Sequence, residues 1–227
     1  MKNRDYKTDL QCAYNNIASH FSKTRHFIWP EMREFLPYIA ERSHVIDIGC
    51  GNGRLLGMLQ DKHCTYVGID QSDGLLAEAK KLWPGYSFEL GDMETYHYGR
   101  DRFDAAFFIA SLHHLTTTQA QLHTLQKVFT ALNPGGYVFI TTWNMWQQKY
   151  RHYVQKDPYH HSYIPYNNGQ SIHHRFYYAF TKTELVALCK KAGLTILEAW
   201  YSNKEAKVKR TDGRNICIVA QKAKTSA

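Results

Sequence analysis

Between His44 and Thr142 the sequence alternates short apolar runs with amphipathic stretches, and this rhythm restricts the fold more than any other feature. Residues 44–48, 65–69, 86–90, 103–110 and 137–142 read as strands, being short, rich in Val, Ile, Phe and Tyr, and bounded by turn residues. A stretch from Arg54, residues 73–82 and residues 118–132 read as helices. Trp83-Pro84-Gly85 and Asn133-Pro134-Gly135-Gly136 punctuate them, because proline and glycine cannot continue a helix comfortably. Apolar strands separated by helices predict a mostly parallel sheet covered on both faces.

The flanks extend this plan. Tyr14, Ile17, Ala18 and Phe21 fall at helical spacing, and Pro30 is placed to begin a second helix over residues 31–40. Residues 1–43 are therefore expected to form an N-terminal helical segment. After the fifth strand, residues 144–174 are rich in Tyr, His, Asn and Gln without a clear period. An irregular insert leaving the carboxyl end of a strand predicts a lid or binding loop at the edge where open α/β sheets take ligands. A helix over 182–192 follows, then strands at 194–200 and 215–221, expected to pair as an antiparallel hairpin across a basic loop at 203–213. The whole is expected to be one domain, residues 1–227, with a seven-stranded sheet.

Composition narrows the function classes. No stretch approaches the roughly 20 apolar residues that span a bilayer, and the polar N-terminus lacks an apolar signal core, so no membrane association and a cytoplasmic location are expected. Five cysteines without a C-x-x-C pair read as reduced thiols rather than a metal or disulfide framework. The three histidine pairs lack metal-ligand spacing, so no metal site is expected. The net charge of +8 is uneven: residues 1–140 hold 14 Lys/Arg against 15 Asp/Glu, and residues 141–227 hold 14 against 5. Lys204, Lys207, Lys209, Arg210 and Arg214 cluster there, either as a solvated face or as a patch for phosphate backbone.

The turn Asp47-Ile48-Gly49-Cys50-Gly51-Asn52-Gly53 joins the first strand to a helix. Its G-x-G-x-G spacing departs from the G-x-G-x-x-G of dinucleotide sites, and Asp47 would repel a pyrophosphate while suiting a cationic sulfonium ligand. Asp70 ends the second strand, where a carboxylate can accept two ribose hydroxyls. The ordered set resembles class I S-adenosylmethionine-dependent methyltransferases, a Rossmann-like α/β fold. That class places an acid near the adenine amino group at the position of Asp92. The resemblance implies S-adenosyl-L-methionine as cofactor, held by Asp47, Gly49, Cys50, Gly51, Asn52, Gly53, Asp70, Gln71, Asp92, Met93 and Ala110.

Acceptor chemistry is expected after the fourth strand, at Ala110-Ser111-Leu112-His113-His114-Leu115. It is neither the D/N-P-P-Y/F of base-amino methylation nor a Pro-Cys pair for C5 methylation. His113 could act as a general base, or one of His113 and His114 packs while the other bonds backbone. Here the chain resembles the wobble-uridine tRNA methyltransferases that esterify 5-carboxymethyluridine. The likeness runs through Tyr14-Asn15-Asn16-Ile17-Ala18, Phe21-Ser22-Lys23-Thr24-Arg25 and Trp29-Pro30, then His113-His114-Leu115. It continues at Arg175-Phe176-Tyr177-Tyr178-Ala179-Phe180 and Arg214-Asn215-Ile216-Cys217-Ile218-Val219. Tyr178-Ala179 stands where the family often has histidine, and residues 144–174 differ from it. The resemblance implies a tRNA partner, a small zinc-binding activator docking on the strand at 86–90, and arginines that hold the acceptor carboxylate, for which Arg25 and Arg175 are the candidates. A small-molecule methyltransferase with residues 144–174 as lid, and a non-catalytic donor-binding module, are the alternatives.

Overall fold

The computed structural model describes residues 6–25, 27–155, 160–167, 171–204 and 206–224. The core strands are β1 (His44–Ile48), β2 (Thr65–Asp70), β3 (Ser87–Leu90), β4 (Phe103–Ile109) and β5 (Leu132–Trp143). They pair in parallel in the order β3-β2-β1-β4-β5. β10 (Asn215–Gln221) then pairs antiparallel with β5, and β8 (Thr195–Asn203) pairs antiparallel with β10. The expected C-terminal hairpin is thus present, with its second strand inserted between the first and the core. A short β9 (Ala206–Val208) adds to β8 as an eighth strand, one more than the sequence indicated. Ala206-Lys207-Val208 is too short for its alternation to stand out inside a basic loop, which hides such a strand from a reading by pattern.

Strand residues alternate between two cores, which explains their continuous apolar character. Ile46, Phe108, Ile140 and Ile218 face α4 (Thr118–Ala131) and α5 (Lys182–Lys191), where Leu125, Val128, Leu185 and Leu188 are buried. Val45, Phe107, Phe139 and Val219 face the opposite layer of Met32, Phe35, Leu55, Leu56 and Leu76. That layer contains the four-residue α2 (Leu56–Leu59) and α3 (Asp73–Leu82). α1 (Tyr6–Thr24) packs on α3 and buries Leu10, Ala13, Ile17 and Ala18, while Tyr14 and Phe21 stay half-buried.

Side-chain caps set several boundaries. Ser72 and Thr117 accept the amides of Leu75 and Ala120, and Thr181 with Glu184 forms a reciprocal capping box. The segment after Pro30 is a 3₁₀ helix, Pro30–Tyr38, rather than an α-helix, and Pro37 inside it removes a backbone donor. Asn133-Pro134-Gly135-Gly136 lies within the long β5 rather than before it. At the amino edge Asp104 accepts both the His44 amide, at 2.8 Å, and the Asn133 side chain, at 2.7 Å, and so braces β1 and β5 against β4.

The insert is more regular than expected. β6 (His161–Asn167) and β7 (Ile172–Tyr178) form a separate antiparallel pair, with Ile164 opposite Arg175. Residues 156–159 and 168–170 of the expected lid lie outside the described residues. No helix among the described residues is long and apolar enough to cross a membrane.

Candidate active site

Loops at the carboxyl ends of β1, β2, β4 and β5 line a cleft roofed by α1 and β7. Of the fourteen residues expected to bind donor or acceptor, every one except Gly53 lines it. Gly53 is packed from the other side: a Cβ there would stand 2.9 Å from Trp83 and 3.0 Å from Phe88. Its role is to let the turn sit on that layer.

In the donor half, the Gly49 and Cys50 amides donate to the Ile69 carbonyl at 2.8 and 3.0 Å, laying the turn along β2. Gly49 has φ +74, and a Cβ on it would come within 2.4 Å of Ser111 Cβ. Gly51 has φ +57, and a Cβ on it would point into empty space beside the turn. The backbone is thus bare on the side where a ligand would lie. Asp70 accepts the Gly51 amide on Oδ2 and the Ser72 amide on Oδ1, both at 2.9 Å. Burial raises its pKa while these amides pull it down. Each oxygen keeps a lone pair for a ligand hydroxyl.

Asp47 is almost fully buried. Tyr66 donates to its Oδ2 at 2.9 Å, while Oδ1 has no partner in the protein. Burial pushes its pKa up to about 7. An orphaned carboxylate oxygen in a ligand-sized cleft fits a cationic or N–H-bearing ligand. Asp92 accepts the Glu94 amide at 2.8 Å and the Lys7 ammonium of α1 at 3.0 Å. Gln11 of the same helix donates to the Gln71 carbonyl at 2.7 Å. Lys7 and Gln11 were not among the expected site residues, because a lone lysine and glutamine in a helix carry no local signal. The bare turn, the two carboxylates and the open space fit S-adenosyl-L-methionine.

The other half of the cleft is built around Arg175 of β7, which is 3% exposed. The rings of Tyr166, Tyr177, Tyr14 and Trp143 surround its guanidinium carbon at 4.8, 5.5, 5.8 and 5.8 Å. Among the described residues no carboxylate lies within ion-pair distance, and Nε has no hydrogen-bond partner. Arg25, at the end of α1, lines the same cleft over the Phe21 ring, again without an acid. Asn52 holds that end, donating to Ser22 Oγ at 3.3 Å and the Arg25 carbonyl at 3.4 Å.

The two histidines divide as packed and bonded residues. His114 Nδ1 lies 2.7 Å from the Phe176 carbonyl, so it carries the proton there and Nε2 accepts the Tyr14 hydroxyl at 2.9 Å. Burial lowers its pKa to about 3. His113 Nδ1 accepts the Trp143 amide at 3.3 Å, which puts its proton on Nε2, and burial lowers its pKa well below 6.5. The amide occupies the Nδ1 lone pair, so of the two readings the sequence left open, a general base or a packed and bonded ring, this geometry fits the second. Tyr14, Trp143 and Tyr177 were missed as site residues, since aromatic residues at helix and strand spacing read as core.

The chain matches the methyltransferase domain family over residues 20–199. It is 36% identical to a tRNA (carboxymethyluridine(34)-5-O)-methyltransferase of Saccharomyces cerevisiae over 60% of this chain, spanning about half, 48%, of that relative. It is 30% identical to the Schizosaccharomyces pombe protein of the same description, over 83% of this chain and 90% of the relative. A Haloferax volcanii methyltransferase solved in complex with the Trm112 methyltransferase activator shares the fold, with TM-score 0.70, 18% identity, and coverage of 96% of this chain and 99% of that one. With this cleft and these relatives, the chain belongs to the methyltransferase domain family and is an S-adenosylmethionine-dependent methyltransferase, similar to the tRNA (carboxymethyluridine(34)-5-O)-methyltransferases.

Proposed function

We propose that the enzyme methylates the carboxylate of a 5-carboxymethyl group on the wobble uridine of tRNA, giving a methyl ester. The observation that carries this reading is Arg175, a buried guanidinium in an aromatic box with no acid beside it. A buried cation without a counter-charge is costly, and a planar carboxylate is the ligand that a guanidinium fork fits.

Asp47, Asp70 and the bare turn at Gly51 would hold S-adenosyl-L-methionine, which supplies a methyl group activated by positive sulfur. Arg175 orients the acceptor carboxylate, and Arg25 adds a second cation from the end of α1. A carboxylate is ionised at neutral pH, so the reaction needs no base, consistent with His113 and His114 being held neutral. The aromatic walls exclude water from the nucleophile, so positioning and desolvation supply the rate. The basic loop leaves β8 and enters β10 opposite Trp143, at the same edge of the sheet as the cleft, where it can meet RNA phosphates.

β3 is one edge of the large sheet, β9 being the other, and carries Leu90, 63% exposed, next to Leu82 of α3, 50% exposed. This edge suits strand addition by a small activator. Co-expression should then raise soluble yield, and Leu90→Asp should prevent co-purification.

The test of function is methyl transfer to tRNA carrying carboxymethyluridine, followed by nucleoside mass analysis. The esterified nucleoside is the expected product. Transfer to small carboxylates in preference to tRNA would replace this reading with that of a metabolite enzyme.

A further inference from the structure

A column of stacked rings leads from the Arg175 box towards the surface. Tyr177, fully buried against Arg175, stacks on Trp143 at 5.0 Å and 21°. Trp143 stacks in turn on the half-buried Tyr150 at 5.4 Å and 21°. Over the Tyr150 ring lies the exposed side chain of Lys149, its ammonium 5.1 Å from the ring centre. An exposed lysine over a ring is held weakly and moves aside readily.

The surroundings carry positive charge. Residues 144–155 contain Lys149 and Arg151 and no acid. Asn144 stitches this segment to the basic loop, donating from Nδ2 to the Arg210 and Gly213 carbonyls, both at 2.8 Å. Its backbone amide donates to the Arg214 carbonyl at 2.9 Å, and the Arg210 guanidinium lies 5.2 Å from the Trp146 ring. Stacked aromatic faces beside exposed cations are the chemistry that recognises single-stranded nucleic acid: rings take unpaired bases and cations take the backbone.

We propose that Tyr150 is a stacking platform for the nucleobase adjoining the modified uridine, with Lys149 moving from the ring to that nucleotide's phosphate. This rests on the tRNA reading above and narrows it to an unstacked, single-stranded loop that enters along the Tyr150–Trp143–Tyr177 column. The extruded uridine then reaches Arg175 while its neighbour stays at the rim.

The experiment is binding of an unmodified anticodon stem–loop RNA by fluorescence anisotropy, with donor affinity measured by calorimetry on the same preparations. Tyr150→Leu should weaken RNA binding about tenfold with donor affinity unchanged, and Tyr150→Phe should bind as the wild type, because the ring does the work. Lys149→Gln, a surface change that leaves the fold intact, should reduce the slope of log affinity against log salt by about one. Wild-type affinity in Tyr150→Leu, or equal losses in Tyr150→Leu and Tyr150→Phe, would overturn the platform. So would an unchanged salt slope in Lys149→Gln. Wild-type protein that binds the stem–loop through Tyr150 yet forms no methyl ester on tRNA carrying carboxymethyluridine would remove the esterification reading and leave the platform standing. Normal esterification with RNA binding indifferent to Tyr150 would remove the platform alone.

Discussion

The Tyr14 hydroxyl donates to His114 Nε2 across 2.9 Å, joining helix α1 to the loop after β4, while the other face of the same imidazole holds the Phe176 carbonyl next to Arg175. One neutral ring thereby fixes two walls of the acceptor pocket against each other. Tyr14→Phe keeps the ring but leaves Nε2 without a donor. A buried acceptor left unpaired costs about 1–3 kcal/mol. Thermal unfolding should therefore show a midpoint several degrees lower, and an unchanged midpoint would mean that this bond contributes nothing.

Donor binding should depend on pH through Asp47. In the free protein burial holds its pKa at about 7, and a cationic ligand favours the ionised form. Below pH 7 binding must release a proton, so affinity falls as pH falls, by up to about tenfold per unit, and is level above pH 8. Calorimetry in buffers of different ionisation enthalpy reads the proton directly. Asp47→Asn should remove the dependence, and a wild-type affinity that is flat from pH 5.5 to 8 would exclude this role.

Arg175→Met should separate stability from activity. The substitution removes a buried, unpaired charge from an aromatic box and keeps much of the volume. Such replacements are commonly neutral or stabilising. The melting temperature should hold or rise, donor affinity should be unchanged, and methyl transfer should fall by at least a hundredfold. A large loss of stability would instead assign Arg175 to the fold.

The basic loop does not act as one unit. Lys207 is engaged by Glu198 at 2.6 Å and lies over Trp200, which raises the lysine's pKa and lowers the glutamate's. Lys204, Lys209 and Arg210 make no ion pair among the described residues. Neutralising those three should flatten the salt dependence of tRNA binding by about three, at roughly 0.9 per phosphate contact, and Lys207→Gln should change it little. Wild-type slope in the triple variant would make the loop a solvated face.

The parallel core was legible because its signals are local: strands buried on both faces read as apolar runs, and the glycine turn with Asp47 and Asp70 follows strand ends in order. Asp92 and Met93 were placed for the same reason. What escaped depends on distant pairing. β6 and β7 carry Tyr, His and Asn in place of alternating aliphatics, and of the pair only Arg175 and Tyr177 line the cleft. Tyr14 and Trp143 become site residues only because Arg175 arrives from another sheet, some 30 or more positions away. The sequence left His113 open between base and packed ring because the choice turns on a backbone amide meeting its Nδ1 lone pair, and no sequence pattern shows that.

The most direct test of the central claim is alkaline lability of the product. Labelled methyl transferred to tRNA as an ester on a carboxymethyl group is released as methanol by mild alkali, whereas methyl on a base nitrogen, base carbon or ribose oxygen stays attached. Wild-type protein, with an activator supplied if needed, should yield label that mild alkali releases almost completely, and Arg175→Met should yield almost none. Alkali-stable label on the tRNA from wild-type protein would contradict the account.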